Sequence, residues 1–119
     1  MKANELRIGN WIQDGNEFEQ ITIDHLNCLN SGRCEYDPIP LTEEWLLNFG
    51  FEKTHLFDTV LYISNTNFHI SFNNSIYQLN YKENPKSQWF PVCKDLRYIH
   101  QLQNIYFALT GEELTIKQQ

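Results

Sequence analysis

The sequence predicts an α+β fold: N-terminal SH3-like strands, a short central helix, and a three-stranded antiparallel meander packed by a C-terminal helix. Three observations predict it. The first thirty residues carry β-type side chains broken by turn signals. The stretch IPLTEEWLLNFGF specifies both ends of a short helix. Residues 59 to 110 hold alternating strands and then a helical apolar arc.

In LRIGNWIQDGNEFEQITIDHLNCLNSG, Gly9 and the Asp14-Gly15 pair are turn signals, and Asp-Gly favours a tight hairpin. Ile21 and Ile23 alternate across Thr22, which reads as strand. Short twisted strands around a small core fit an SH3-like half-barrel.

The central helix is written out more fully. Thr42 is placed to accept a hydrogen bond from a first-turn amide, and Pro40 suits the extended approach. Glu43 and Glu44 put negative charge at the positive end of the helix dipole. Leu41 and Leu46 have hydrophobic-staple spacing, and Gly50 suits a left-handed stop with Phe51 folding back onto Leu46. About seven residues of helix are too short to stand alone. Trp45, Leu46, Leu47 and Phe49 make it apolar nearly all round, so it is expected as a buried plug joining the N-terminal strands to the meander.

The meander follows from two turns, Asn65-Thr66 and Asn73-Asn74, since Asn tolerates positive φ. They pair Ile63 with Phe68, Leu61 with Ile70, Ile70 with Tyr77 and Phe68 with Leu79. One face then carries Leu61, Ile63, Phe68, Ile70, Phe72, Tyr77 and Leu79. The other carries Asn67, His69, Ser71, Gln78 and Asn80, with Val60, Tyr62 and Ile76 among them. KENPKSQWFPVCK reads as an irregular connection because Pro85 and Pro91 argue against a central strand. Asp95 is expected to cap a helix over 96–110 that Gly111 ends. Tyr98, Ile99, Leu102, Ile105, Tyr106 and Leu109 fall on one arc, with Arg97, His100, Gln101 and Asn104 opposite. The ending EELTIKQQ is expected as a short edge strand or a frayed end.

At 119 residues the chain is expected to be one domain, with a strand lobe at 1–38, a linking helix at 39–51 and the meander with its helix at 52–119. No apolar run approaches the ~20 residues of a membrane span. MKANELRIGNW lacks an apolar leader region, so the expected location is cytoplasmic. Cys28, Cys34 and Cys93 are an odd number without CxxC spacing and read as reduced thiols. His25, Cys28 and Cys34 lack a fourth ligand, so neither metal nor cofactor is expected.

Net charge is −6 and unevenly spread: residues 1–58 hold 4 basic against 11 acidic residues, and 59–119 hold 5 against 4. An acidic first half repels bare nucleic acid and suits a basic protein partner, while also serving solubility.

Convergent catalytic groups are not legible. Asp24 and His25 are neighbours that a strand would turn to opposite faces. His55, His69 and His100 read as surface histidines, and the chain has no phosphate loop, GxSxG elbow or HExxH. It is read as not an enzyme. Lys82, Lys86, Lys94 and Arg97 cluster in sequence around Trp89 and Phe90, a combination that can hold phosphates and stack bases. The blander reading buries both rings and solvates the lysines.

Three segments, ELRIGNW at 5–11, IPLTEEWLLNFGFEK at 39–53 and YIHQLQNIYFALTGEEL at 98–114, carry a resemblance. They resemble short proteins of phages and integrated elements in the Bacteroides–Flavobacterium lineage. The chain is similar, in particular, to the small phage-type inhibitors of the type VI-B CRISPR effector, an RNA-guided ribonuclease. That resemblance implies an anti-CRISPR protein whose partner is the host effector, together with its bound guide RNA. The alternative is a small nucleic-acid-binding module in phage replication or regulation. The expected partner-binding residues are Glu17, Glu19, Asp24, Lys82, Lys86, Trp89, Lys94, Arg97, His100 and Gln101. Free nucleic acid is expected to bind weakly, and no membrane contact is expected.

Overall fold

The computed structural model describes residues 5–56, 59–65, 67–84 and 86–116. Among them are three helices, a two-stranded and a five-stranded antiparallel sheet, so the fold is α+β. The chain divides into two compact units. One takes residues 1–40 and 98–114, the other 41–97 and 115–119. This division differs from the expected 1–38, 39–51 and 52–119.

In the first unit, β1 (Trp11–Asp14) and β2 (Glu17–Gln20) form the hairpin that Asp14-Gly15 signals. Gly15 takes φ +63° in the tight loop. Ile12 is fully buried opposite Glu19, and with Leu6 and Ile21 it forms a core onto which Leu26, Leu29 and Tyr36 pack.

The segment expected as a strand from Ile21 onward is helical instead: α1 spans Ile23–Ser31. Its start is a local contest that the cap wins. The Thr22 amide donates to His25 Nδ1 at 3.0 Å, and the Thr22 hydroxyl lies 2.8 Å from the same nitrogen. Asp24 adds negative charge to the first turn. Gly32 stops the helix at φ +75°, with its amide on Leu29 and that of Arg33 on Cys28. The sulfurs of Cys28 and Cys34 are joined and only Cys93 is free, which corrects the reading of three reduced thiols.

The unit closes with α3 (Ile99–Thr110), stopped by Gly111 in the left-handed region. The expected start at residue 96 and cap at Asp95 are both corrected. Tyr98 is the N-cap, and its amide donates to Gln101 Oε1 at 3.1 Å. Asp95 belongs to a strand that continues to Leu96.

The second unit begins with α2 (Glu43–Asn48), which forms much as its sequence specifies. The Thr42 hydroxyl accepts from the Trp45 amide at 3.4 Å, and Gly50 at φ +93° lets the Phe51 amide reach the Leu46 carbonyl. Phe51 is buried with its ring 6.3 Å from that of Phe68. Glu43 holds the helix to the sheet, accepting from the Tyr62 hydroxyl at 2.9 Å and pairing with Lys53 at 2.7 Å.

The meander has five strands in sequence order: β3 (Glu52–Leu56), β4 (Thr59–Asn65), β5 (Phe68–Asn73), β6 (Ile76–Tyr81) and β7 (Phe90–Leu96). The expected registers are corrected in two different ways. Between β5 and β6 the turn is Asn74-Ser75, both at positive φ, so Ile70 pairs with Leu79 and Phe72 with Tyr77. That two-residue slip keeps every side chain on its expected face. Between β4 and β5 an irregularity at Ile63/Asn65 shifts the pairing by one, so Tyr62 pairs with Ile70 and Val60 with Phe72. Tyr62 is therefore buried beside Ile70, while Leu61 and Ile63 join His69 and Ser71 on the other face. Pro91 sits in β7, a strand of the kind it tolerates because β7 is the sheet's edge. The expected turn residue Thr66, Pro85 and the last three residues lie outside the described residues.

Candidate interaction surfaces

Burial of polar side chains separates scaffold from surface in the first unit. Gln103, only 1% exposed, accepts the Trp11 amide on Oε1 at 2.8 Å and donates from Nε2 to the Gly9 carbonyl at 3.1 Å. Asn104 Oδ1 accepts from Arg7 Nε at 2.8 Å and from Asn10 Nδ2 at 2.9 Å. Arg7 also pairs with Glu113 at 2.6 Å and lies 4.5 Å from the Phe107 ring centre. Two of the three segments that carry the resemblance, ELRIGNW and YIHQLQNIYFALTGEEL, thus meet through named hydrogen bonds.

Two expected partner residues on α3 are part of this scaffold. His100 is 6% exposed, with its ring stacked beside Tyr98 and Nδ1 without a hydrogen-bond partner among the described residues. Its expected place on a polar surface is corrected, because the buried side of α3 takes in His100 and Gln103 as well as Ile99, Leu102 and Tyr106. Burial pushes its pKa down, partly offset by Glu5. Gln101 is half-buried and ties down the helix start.

What remains at the surface of this unit is strongly acidic. The unit holds Glu5, Asp14, Glu17, Glu19, Asp24, Glu35, Asp37, Glu112 and Glu113 against Lys2, Arg7 and Arg33. The second unit holds six acidic and six basic residues, so the whole net charge of −6 belongs to the first. Glu17 and Asp24 are exposed, whereas Glu19 is half-buried and lies 3.3 Å from His25 Nε2. The acidic field registers on Tyr36, whose hydroxyl is pushed up by burial and by Asp14 and Glu19.

In the second unit the expected aromatic and basic residues form a cluster around Trp89, which is 38% exposed. Its ring lies 4.0 Å from the His69 ring, and the Lys82 ammonium lies 4.7 Å from its centre. Lysine over an indole face gains from the ring's quadrupole. His69 is half-buried, and burial first and Lys82 second push its pKa down. Beneath, Asn80 is buried, accepting from Gln78 Nε2 at 2.8 Å with Ser71 Oγ 3.4 Å away. Lys86 and Lys94 are exposed near the cluster in sequence. Arg97 is set apart from it. It pairs with Asp95 at 2.7 Å beyond the far end of β7, which at about 3.3 Å per residue is roughly 20 Å from Trp89.

Sequence reasoning missed His69 and Asn80 as members of this cluster. Their alternation with Ile70 and Leu79 put them on the polar face, but nothing local showed that Trp89 would return over it. A separate concavity of about 390 Å³ is lined by Leu41, Ser75, Ile76, Tyr77, Asp95, Leu96 and Arg97. No three His, Cys, Asp or Glu side chains converge as a metal site among the described residues. His25 is engaged in capping, and Cys28 and Cys34 are engaged with each other. No helix among the described residues is long and apolar enough to cross a membrane. Comparison with family models, curated proteins and solved structures gives no match to this chain.

Proposed function

We propose that this chain is a non-enzymatic interaction protein of a mobile element, acting as an anti-CRISPR inhibitor of a type VI-B RNA-guided ribonuclease. The observation that carries the interaction reading is the charge division: the first unit holds the entire net charge of −6. Such a surface is repelled by free phosphate and attracted by a basic protein, and an enzyme that channels RNA presents a basic face. The choice of target comes from the resemblance of residues 5–11, 39–53 and 98–114, whose side chains supply helix caps and buried contacts. Inhibition would then occupy the effector's RNA path.

A second reading, a nucleic-acid-binding module, is favoured by the Lys82–Trp89–His69 cluster. Both flanking groups already lie within contact of the indole, which limits its use as a stacking platform. In the inhibitor reading the cluster touches guide RNA already held by the effector. The deciding assay measures target-RNA cleavage by a type VI-B effector with and without this protein. Loss of cleavage at stoichiometric protein supports the inhibitor. Undiminished cleavage at excess, with tight binding to free RNA, would replace it by the module.

A further inference from the structure

We infer that the outer edge of β3 is where a protein partner adds an extended strand to the five-stranded sheet, with a Lys or Arg of that strand opposite Glu52. The identity of the partner rests on the function proposed above. The edge itself is read from strand register and backbone hydrogen bonding. A strand at the edge of a sheet points alternate amides and carbonyls outward, with no neighbour to meet them. Another extended polypeptide offers donors and acceptors at that spacing, and nucleic acid does not.

The two edges of this sheet differ. β7 carries Pro91, which has no amide to donate, and the exposed charges of Lys94 and Asp95. Its pairing with β6 shifts twice, between Tyr77 and Leu79 and again between Leu79 and Asn80. Proline, charge and bulges are the devices that keep a strand edge from pairing. β3 has neither proline nor glycine, and it pairs with β4 without a shift, from Glu52 with Ile63 to Leu56 with Thr59. Glu52, Lys53, Thr54 and His55 are all exposed. Among the described residues no strand or bridge lies on the outer side of β3, and no backbone hydrogen bond reaches it apart from the β4 ladder. Lys53, the cation that could guard this edge, is drawn back to Glu43 of α2 at 2.7 Å.

Side-chain parity says which strand fits. Glu52 and Thr54 share the face of Ile63 and Leu61, whereas Lys53 and His55 share the face of Tyr62, on the side of α2. Residues directly opposite each other in an antiparallel pair lie on the same face. Two copies of β3 paired about a two-fold axis therefore never set Lys53 against Glu52, because the two stand on opposite faces. Glu52 has no ion-pair partner among the described residues, and a second copy supplies none. A foreign strand with Lys or Arg at the matching position does. The backbone edge thus selects a polypeptide, and the carboxylate selects a basic one.

The test uses the full chain and a type VI-B effector in kinetic binding measurements, each variant first checked to melt as wild type does. Of two consecutive residues in β3, one points its amide at β4 and the other points it outward. Thr54→Pro and His55→Pro are therefore both made. The one that melts as wild type marks the outward position, and it should weaken binding by about tenfold or more. Glu52→Lys should slow association about threefold or more. Val92→Ser, exposed on the opposite edge strand β7, should change neither. Amide exchange of wild type reads the same edge without any substitution: the outward amides of β3 should slow when the effector is added, and those of β7 should not. Undiminished affinity in the folded proline variant, or unslowed β3 amides in the complex, would overturn the edge and leave the proposed function standing. No binding by wild type would overturn both. A wild-type dimer in sedimentation that the same proline variant converts to monomer would assign the edge to a second copy and overturn the inference.

Discussion

Gln103 on α3 and Trp11 on β1, 92 residues apart, are joined by a 2.8 Å hydrogen bond from the Trp11 amide to the Gln103 side chain. The same side chain donates to Gly9, so one buried amide group satisfies two backbone groups of the N-terminal segment. A buried backbone amide or carbonyl left unpaired costs about 1–3 kcal/mol. Gln103→Leu should therefore destabilise the protein by roughly 2–4 kcal/mol, although the new side chain is apolar and of similar size. Ala108→Ser, on the exposed side of the same helix, should fall within about 0.5 kcal/mol of wild type. Chemical denaturation of the two variants checks this; equal midpoints would show that the bond is not a structural tie.

Acid should weaken the fold through His69 and His100. Both have pKa values pushed below the usual histidine range, chiefly by burial, so the folded state disfavours their protonation. A group whose folded pKa is lowered contributes stability that is present above its unfolded pKa, near 6.5, and lost as pH falls below it. The midpoint of denaturation should thus be flat from pH 8 to 7 and drop between pH 6.5 and 5. His69→Gln and His100→Gln should each shallow that drop. An unchanged slope in both variants would place the acid sensitivity elsewhere.

The sequence made α2 legible because every determinant of it lies within ten residues: Thr42, the two glutamates, Leu46, Gly50 and Phe51. It hid α1 because the alternation of Ile21 and Ile23 imitated a strand. The opposing signals were there: Thr22 and Asp24 at a helix start, Leu26 and Leu29 three apart, Gly32 at the end. The β5–β6 face survived a wrong turn assignment since a slip of two preserves parity. The β4 face did not, because one irregularity near Ile63 reverses it. In the candidate surfaces, Lys82 and Trp89 were legible by proximity in sequence, and the acidic residues by count. The burial of His100 and Gln103 was not, since hydrophobic periodicity assigns polar residues to solvent unless a distant partner is known.

Joining Cys28 to Cys34 predicts a thiol count. Protein unfolded without reductant should release one reactive thiol per chain, that of Cys93, and three after reduction. A cross-link closing so short a loop, with a sequence separation of 6, contributes about 2 kcal/mol in the chain-entropy account. Reductant should therefore lower the melting temperature of wild type and leave a Cys28→Ser/Cys34→Ser variant unaffected. Three thiols in the unreduced protein would refute the pairing.

The remaining prediction concerns bare RNA. Lys82, Lys86 and Lys94 are the basic residues nearest Trp89 in sequence, while Arg97 is occupied by Asp95 roughly 20 Å along β7. Three phosphate contacts on single-stranded RNA give a log–log salt slope of about −2, since each contributes roughly −0.7. Against them stands a chain of net charge −6. Unstructured RNA should then bind with a dissociation constant weaker than about 10 μM near physiological salt. Lys82→Gln with Lys86→Gln should remove about 1.4 from the slope magnitude, whatever the RNA sequence. Fluorescence anisotropy over a salt series measures both quantities. Nanomolar binding, or a slope much steeper than −2, would mean that more cations converge on RNA than this cluster supplies, and the nucleic-acid reading would then gain over the inhibitor.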